Sequence, residues 1–199
     1  MSKIGLFDSG FGGLTILGAV REALPEYDYI YLGDGARAPY GSKLHEEVFE
    51  YTKQAVDYLF KQDCQLVILA CNTASAKSLR KIQQEYLPKK YPQKRVLGVI
   101  IPACEKIVEE GHKKAAVLGT EATIESGTYN DELKKLDKDI EVFQRACPKL
   151  VPLIESGITD GEELDKALDE YTNDISNIEA VILGCTHYEI INDKINPKF

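Results

Sequence analysis

At 199 residues, the chain has room for one or two domains, and its 44% hydrophobic, 28% charged composition is that of a soluble globular protein. A net charge of −8 and a pI near 5.0 exclude a phosphate-driven nucleic-acid binder and adhesion to an anionic membrane. No apolar run approaches the roughly 20 residues that span a bilayer, and MSKIGLFDSG lacks a signal-peptide pattern. The five cysteines, 64, 71, 104, 147 and 185, are odd in number, widely spaced and without a CxxC pair. Reduced thiols in a cytoplasm are therefore expected, rather than a disulfide framework.

In chain order, KIGLFDS (3–9) is an apolar run entering GFGG, and reads as a buried parallel strand with a Gly-rich turn. A helix is expected over 14–26, a strand over 27–34, a loop over 35–43 and a strongly amphipathic helix over 44–61. CQLVILA (64–70) is a third strand, and the helix expected over 72–87 opens on Asn72 and Thr73. The polar, Pro-containing stretch 88–95 is the expected hinge. The pattern then restarts: strands at 96–100, 114–120, 140–147 and 180–184, with helices at 102–112, near 123–136 and at 161–175. Strands alternating with helices give an α/β class with mainly parallel sheets, in two similar domains, 1–92 and 93–199.

Two stretches repeat one another. VILACNT (67–73) and VILGCTHY (181–188) each carry V-I-L through a small residue to a cysteine, Cys71 and Cys185. Each thiol is expected at the carboxyl end of a strand, where ligands of open α/β sheets bind. A thiolate on one side of a carbon and a thiol on the other can remove a proton and return one with inversion. The helix start after Cys71 is expected to lower that thiol's pKa, whereas the element after Cys185 is short and less surely helical. Gly184 is expected to let a ligand approach. Buried cysteines are also common as small core residues, and Cys185-x-His187 is equally half of a metal-binding pattern. DSGFGG (8–13) has neither G-x-G-x-x-G spacing nor a Walker lysine; Asp8 and Ser9 read either as ligand contacts or as plain turn formers, with a similar ambiguity at Tyr40–Gly41.

IGLFDSGFGGLT, YLGDGARAPYGSK, LACNTASA, VIIPA, LGTEATIESGTY, CPKLVPLIESG and LGCTHY occur in that order across residues 4–188. Together they closely resemble the glutamate racemases, cofactor-independent enzymes that supply D-glutamate for peptidoglycan. The resemblance implies two α/β domains with the active site in the cleft between them, a small-molecule substrate, and no cofactor or metal. It matches Cys71 and Cys185 to the two catalytic thiols, the first working on the D-enantiomer and the second on the L-enantiomer. Asp8–Ser9, Tyr40–Gly41, Asn72–Thr73 and Thr186–His187 match the substrate-binding pairs. Asp34 and Glu155 match carboxylates that assist the thiols, and His187 would support Cys185; Asp8 is grouped with the catalytic set.

Two departures stand out. Gly35 replaces the Thr usual in LGDTARAPYG, and the chain ends eleven residues after Tyr188, where family members continue with a segment that returns to the first domain. The first domain is therefore expected to expose apolar surface. A partner subunit in a homodimer, a rearranged sheet, or nothing at all are the alternatives for covering it. A glutamate-binding regulatory homologue without turnover, and a racemase of aspartate or another small amino acid, are the competing functional readings.

Overall fold

A computed structural model describes residues 2–199. Seven strands run β1 Lys3–Asp8, β2 Asp28–Gly33, β3 Cys64–Leu69, β4 Arg95–Gly98, β5 Lys114–Gly119, β6 Glu141–Ala146 and β7 Ala180–Gly184. Ten helices run α1 Leu14–Ala23, α2 His45–Lys61, α3 Asn72–Lys81, α4 Leu87–Lys90, α5 Ile100–Glu109, α6 Glu121–Glu125, α7 Thr128–Leu136, α8 Leu150–Glu155, α9 Glu162–Thr172 and α10 Asn192–Ile195. The fold is α/β, with parallel sheets flanked by helices, and divides into two compact units, Met1–Val99 and Ile100–Phe199.

The first unit holds a four-stranded parallel sheet in the order β2-β1-β3-β4. Central β1 is buried from Ile4 to Asp8, as a strand covered on both faces should be. The long helix α2 forms because Val48, Phe49, Thr52, Ala55, Val56, Leu59 and Phe60 recur at helical spacing and all are buried. The Leu44 N–H donates to Glu47 Oε2 at 3.2 Å, satisfying one of the free donors at the helix start. Each Leu or Phe on that face contributes roughly 1.5–3 kcal/mol by burial. Edge strand β2 and helix α1 bury no residue, and Phe11, Leu14 and Leu24 are exposed.

The polar stretch 88–95 does not separate the sheets. β4 pairs with β3 from Leu66↔Arg95 to Leu69↔Gly98, so the strand expected to open the second block closes the first. The helix expected over 72–87 is interrupted by a π-turn at Ile82–Tyr86 before it resumes as α4. Pro88 in the first turn of α4 lacks an N–H to donate four residues back, and the wider turn lies just before it.

The second unit holds a three-stranded parallel sheet in the order β6-β5-β7, with β5 buried from Ala115 to Gly119. The helix expected near 123–136 is two, α6 and α7, broken at Gly127 with φ 67°. α8 was not anticipated: six residues with Pro152 inside are too short to show a period. Among the described residues, no helix is long and apolar enough to cross a membrane.

Candidate active site

In the first unit, Asp8 ends β1, Asp34 follows β2 and Cys71 follows β3, so three parallel strands deliver their polar residues to one edge of the sheet. Asp8 is fully buried, and its Oδ2 accepts the Gly10 N–H at 3.0 Å. The Cys71 thiol is 5% exposed and donates to Ser9 Oγ at 3.5 Å. Its sulfur also accepts the Ala74 N–H at 3.4 Å, which makes Cys71 the N-cap of α3. Asn72 and Thr73 form the buried first turn of that helix.

The thiol's acidity departs from expectation. Burial, and then the charge of Asp8, push Cys71 up to about 11, while the Ser9 hydroxyl, the Ala74 N–H and the Ser9 backbone pull it down without winning. The helix start does favour the thiolate, but losing water costs more. Cys71 therefore rests as a thiol at neutral pH.

Tyr40 is almost wholly buried and donates its hydroxyl to Asp34 Oδ2 at 2.5 Å. Arg37 Nε meets the same oxygen at 2.6 Å, and the Asp34 N–H donates to Asp8 O at 3.0 Å. Burial and the Asp34 carboxylate raise the Tyr40 phenol well above its ordinary range. Asp34 thus holds Tyr40 and Arg37 through one carboxylate oxygen. Gly41 is half-buried in the turn closed by Lys43 N–H to Tyr40 O at 3.1 Å.

In the second unit, Cys185 follows β7 and precedes a 3₁₀ helix, Thr186–Ile191, in which Thr186 is buried. Cys185 Sγ lies 3.7 Å from His187 Nδ1. His187 Nε2 lies 3.2 Å from Glu155 Oε1, at the C-terminal end of α8. A thiol, an imidazole and a carboxylate thus stand in line, the arrangement by which a carboxylate orients a histidine against a sulfur. The buried Tyr188 hydroxyl donates to Cys147 O at 3.1 Å. Gly184 has a packing reason as well: a Cβ there would stand 2.7 Å from Leu118 O on the neighbouring strand, so the glycine fits β7 to β5.

Cys71 gathers with Asp8, Ser9, Asn72 and Thr73, while Asp34 pairs with Tyr40; Cys185 gathers with Thr186, His187 and Glu155. Sequence reading missed Tyr31, whose hydroxyl donates to Gly10 O at 2.8 Å. The signal was the alternation Tyr27, Tyr29, Tyr31, which places phenols on one face of β2. Among the described residues, no group of three or more His, Cys, Asp or Glu is placed to hold a metal ion.

Residues 15–199 match the family model described as Asp/Glu/Hydantoin racemase. The chain is 42% identical over 195 residues to a glutamate racemase of Aquifex aeolicus, covering 97% of this chain and 74% of that one. Its fold is similar to that of a glutamate racemase of Francisella tularensis solved with D-glutamate, at TM-score 0.89 and 36% identity, covering 100% of this chain and 73% of that one. It is also similar to a glutamate racemase isoform of Bacillus anthracis, at TM-score 0.91 and 32% identity, covering 99% and 73%.

Proposed function

Because the chain belongs to the Asp/Glu/hydantoin racemase family, we propose that it interconverts L- and D-glutamate by two-thiol proton transfer. Family membership makes it an isomerase of the racemase class. The observation that carries the mechanism is the pair of strand-end cysteines, each with its own proton-handling neighbours.

In the proposed reaction, the thiolate of one cysteine takes the α-proton, leaving the electron pair on carbon as a carbanion. The thiol of the other gives its proton to the opposite face. One S–H bond forms and one breaks, one C–H bond breaks and one forms, and nothing is oxidised, so no cofactor takes part. Cys185 deprotonates L-glutamate, with His187 accepting the thiol's proton beforehand and Glu155 holding the imidazole. Cys71, resting protonated, returns a proton to form D-glutamate and serves as base in reverse. Its high pKa makes the thiolate scarce but a strong base once formed. Asp8–Ser9, Tyr40–Gly41, Asn72–Thr73 and Thr186–His187 hold the substrate's polar groups; the N-terminal turn of α3 suits a carboxylate. D-glutamate made in the cytoplasm would serve peptidoglycan synthesis.

The test is α-proton exchange in D₂O with each enantiomer of glutamate and of aspartate, on the 199-residue chain without added cofactor. Exchange with both glutamate enantiomers and little with aspartate is the expected result. Binding of glutamate without exchange would point to a regulatory homologue, and faster exchange with aspartate would change the substrate.

A further inference from the structure

We propose that Tyr31 is a positioning residue that cinches the Gly10–Gly13 loop so that Ser9 is held against the Cys71 sulfur. The Tyr31 hydroxyl donates to Gly10 O at 2.8 Å. This phenol therefore ties the start of the loop to β2. Gly10 transmits the constraint through its N–H, which is held by the buried Asp8 carboxylate at 3.0 Å. Ser9 lies between Asp8 and Gly10, and its hydroxyl meets the sulfur at 3.5 Å.

The close approach has a second requirement. A Cβ at Gly33 would stand 2.4 Å from Gly10 O, so β2 accepts this loop only with glycine there. Tyr29 supplies an internal control. On the same face of β2, its hydroxyl donates to Leu24 O at 2.6 Å, at the far end of α1 and away from Cys71. Y29F and Y31F each remove one phenol hydroxyl that fastens a carbonyl, but only one of those carbonyls belongs to the loop beside the sulfur.

The inference rests on Cys71 as a proton-transfer thiol, but its main readout does not require turnover. Wild type, Y31F and Y29F are treated with iodoacetamide at pH 8, and the labelling rates of Cys71 and Cys64 are followed by peptide mass spectrometry. Cys64, wholly buried in the same sheet, reports general loosening. In Y31F, Cys71 labelling should rise at least about tenfold, as local opening becomes easier, with Cys64 still protected. The exchange kcat should fall alongside, and Y29F should change neither.

A Cys71 rate in Y31F within about twofold of wild type overturns the proposal. So does a parallel rise at Cys64, or an equal effect from Y29F. Should Y31F fail to fold, G33A displaces the Gly10 carbonyl with Tyr31 intact, and an unchanged Cys71 rate there is equally fatal. Wild type without exchange defeats the racemase reading, and Tyr31 is then judged on labelling alone.

Discussion

Cys71 ends its strand against a buried carboxylate and a serine hydroxyl; Cys185 ends its strand against an imidazole that a second carboxylate holds. The local sequences are nearly the same, V-I-L-A-C and V-I-L-G-C, and so is the position after a parallel strand. The neighbours differ in which proton state they favour. An anion beside a desolvated thiol keeps the proton on sulfur. An imidazole beside a thiol can take that proton and stabilise the thiolate as an ion pair. Even the following turns differ: Cys71 caps a ten-residue α-helix with its sulfur, while Cys185 precedes a six-residue 3₁₀ helix and makes no such cap. Matching backbone positions thus carry a thiol held protonated beside a carboxylate at one strand end and a thiol beside an imidazole at the other.

The harshest test removes each sulfur. C71S and C185S should each slow racemisation by at least about 10³-fold, because a serine hydroxyl is a far weaker acid and its anion scarcely exists near neutral pH. Circular dichroism of the product mixture measures this, and a variant retaining a tenth of the rate would end the two-thiol scheme. The next test touches one side alone. H187Q should cost about 10²-fold in turnover and slow alkylation of Cys185, leaving Cys71 unaltered. E155Q should do the same to a lesser degree, since it only frees the ring to turn. Equal loss of reactivity at both sulfurs would erase the asymmetry.

The strand–helix alternation was legible because buried parallel strands read as continuous apolar runs, and VILAC and VILGC announced two strand-end thiols. What escaped was set by contacts distant in sequence. β4 looked like the first strand of a second block because nothing local reveals that Val96 lies beside Val67. α8 escaped because one and a half turns show no period, yet it carries Glu155 to His187. The acidity of Cys71 was misjudged because a helix start is visible in sequence, whereas full burial beside Asp8 is not.

The protonated state of Cys71 has a thermodynamic consequence. Its pKa is about 11 when folded, against an ordinary thiol value of about 8.5 in the unfolded chain. Between these values the unfolded chain has released the proton and the folded chain still holds it. Unfolding then releases a proton, so stability falls as pH rises, starting near the unfolded pKa and ending near the folded one. The full loss is on the order of 3 kcal/mol. Cys104 and Cys147, both pushed up to about 12 by burial, add to the alkaline decline. Urea unfolding at pH 8 and pH 11 should therefore show a marked loss in wild type and a smaller one in C71A. Identical slopes would mean that Cys71 does not hold its proton, and the contrast with Cys185 would lose its basis.

The mildest change is D34N, which asks whether Cys71 has a second carboxylate at its service. The Asp34 oxygen that receives Tyr40 at 2.5 Å also receives Arg37 at 2.6 Å. An amide keeps one acceptor oxygen of the same shape and loses the charge. The ion pair with a partly exposed arginine is worth at most about 1 kcal/mol, and a neutral acceptor retains part of the buried Tyr40 bond. D34N should therefore lower stability by about 1 kcal/mol and slow exchange only a few-fold, to the same degree from L- and D-glutamate. Thermal unfolding with single-enantiomer exchange measures both. A loss approaching that of C71S would put the Asp34 carboxylate at the reacting atoms, the role its motif implies. Cys71 would then share with Cys185 a carboxylate that assists it, and the difference between the two strand ends would narrow to the imidazole alone.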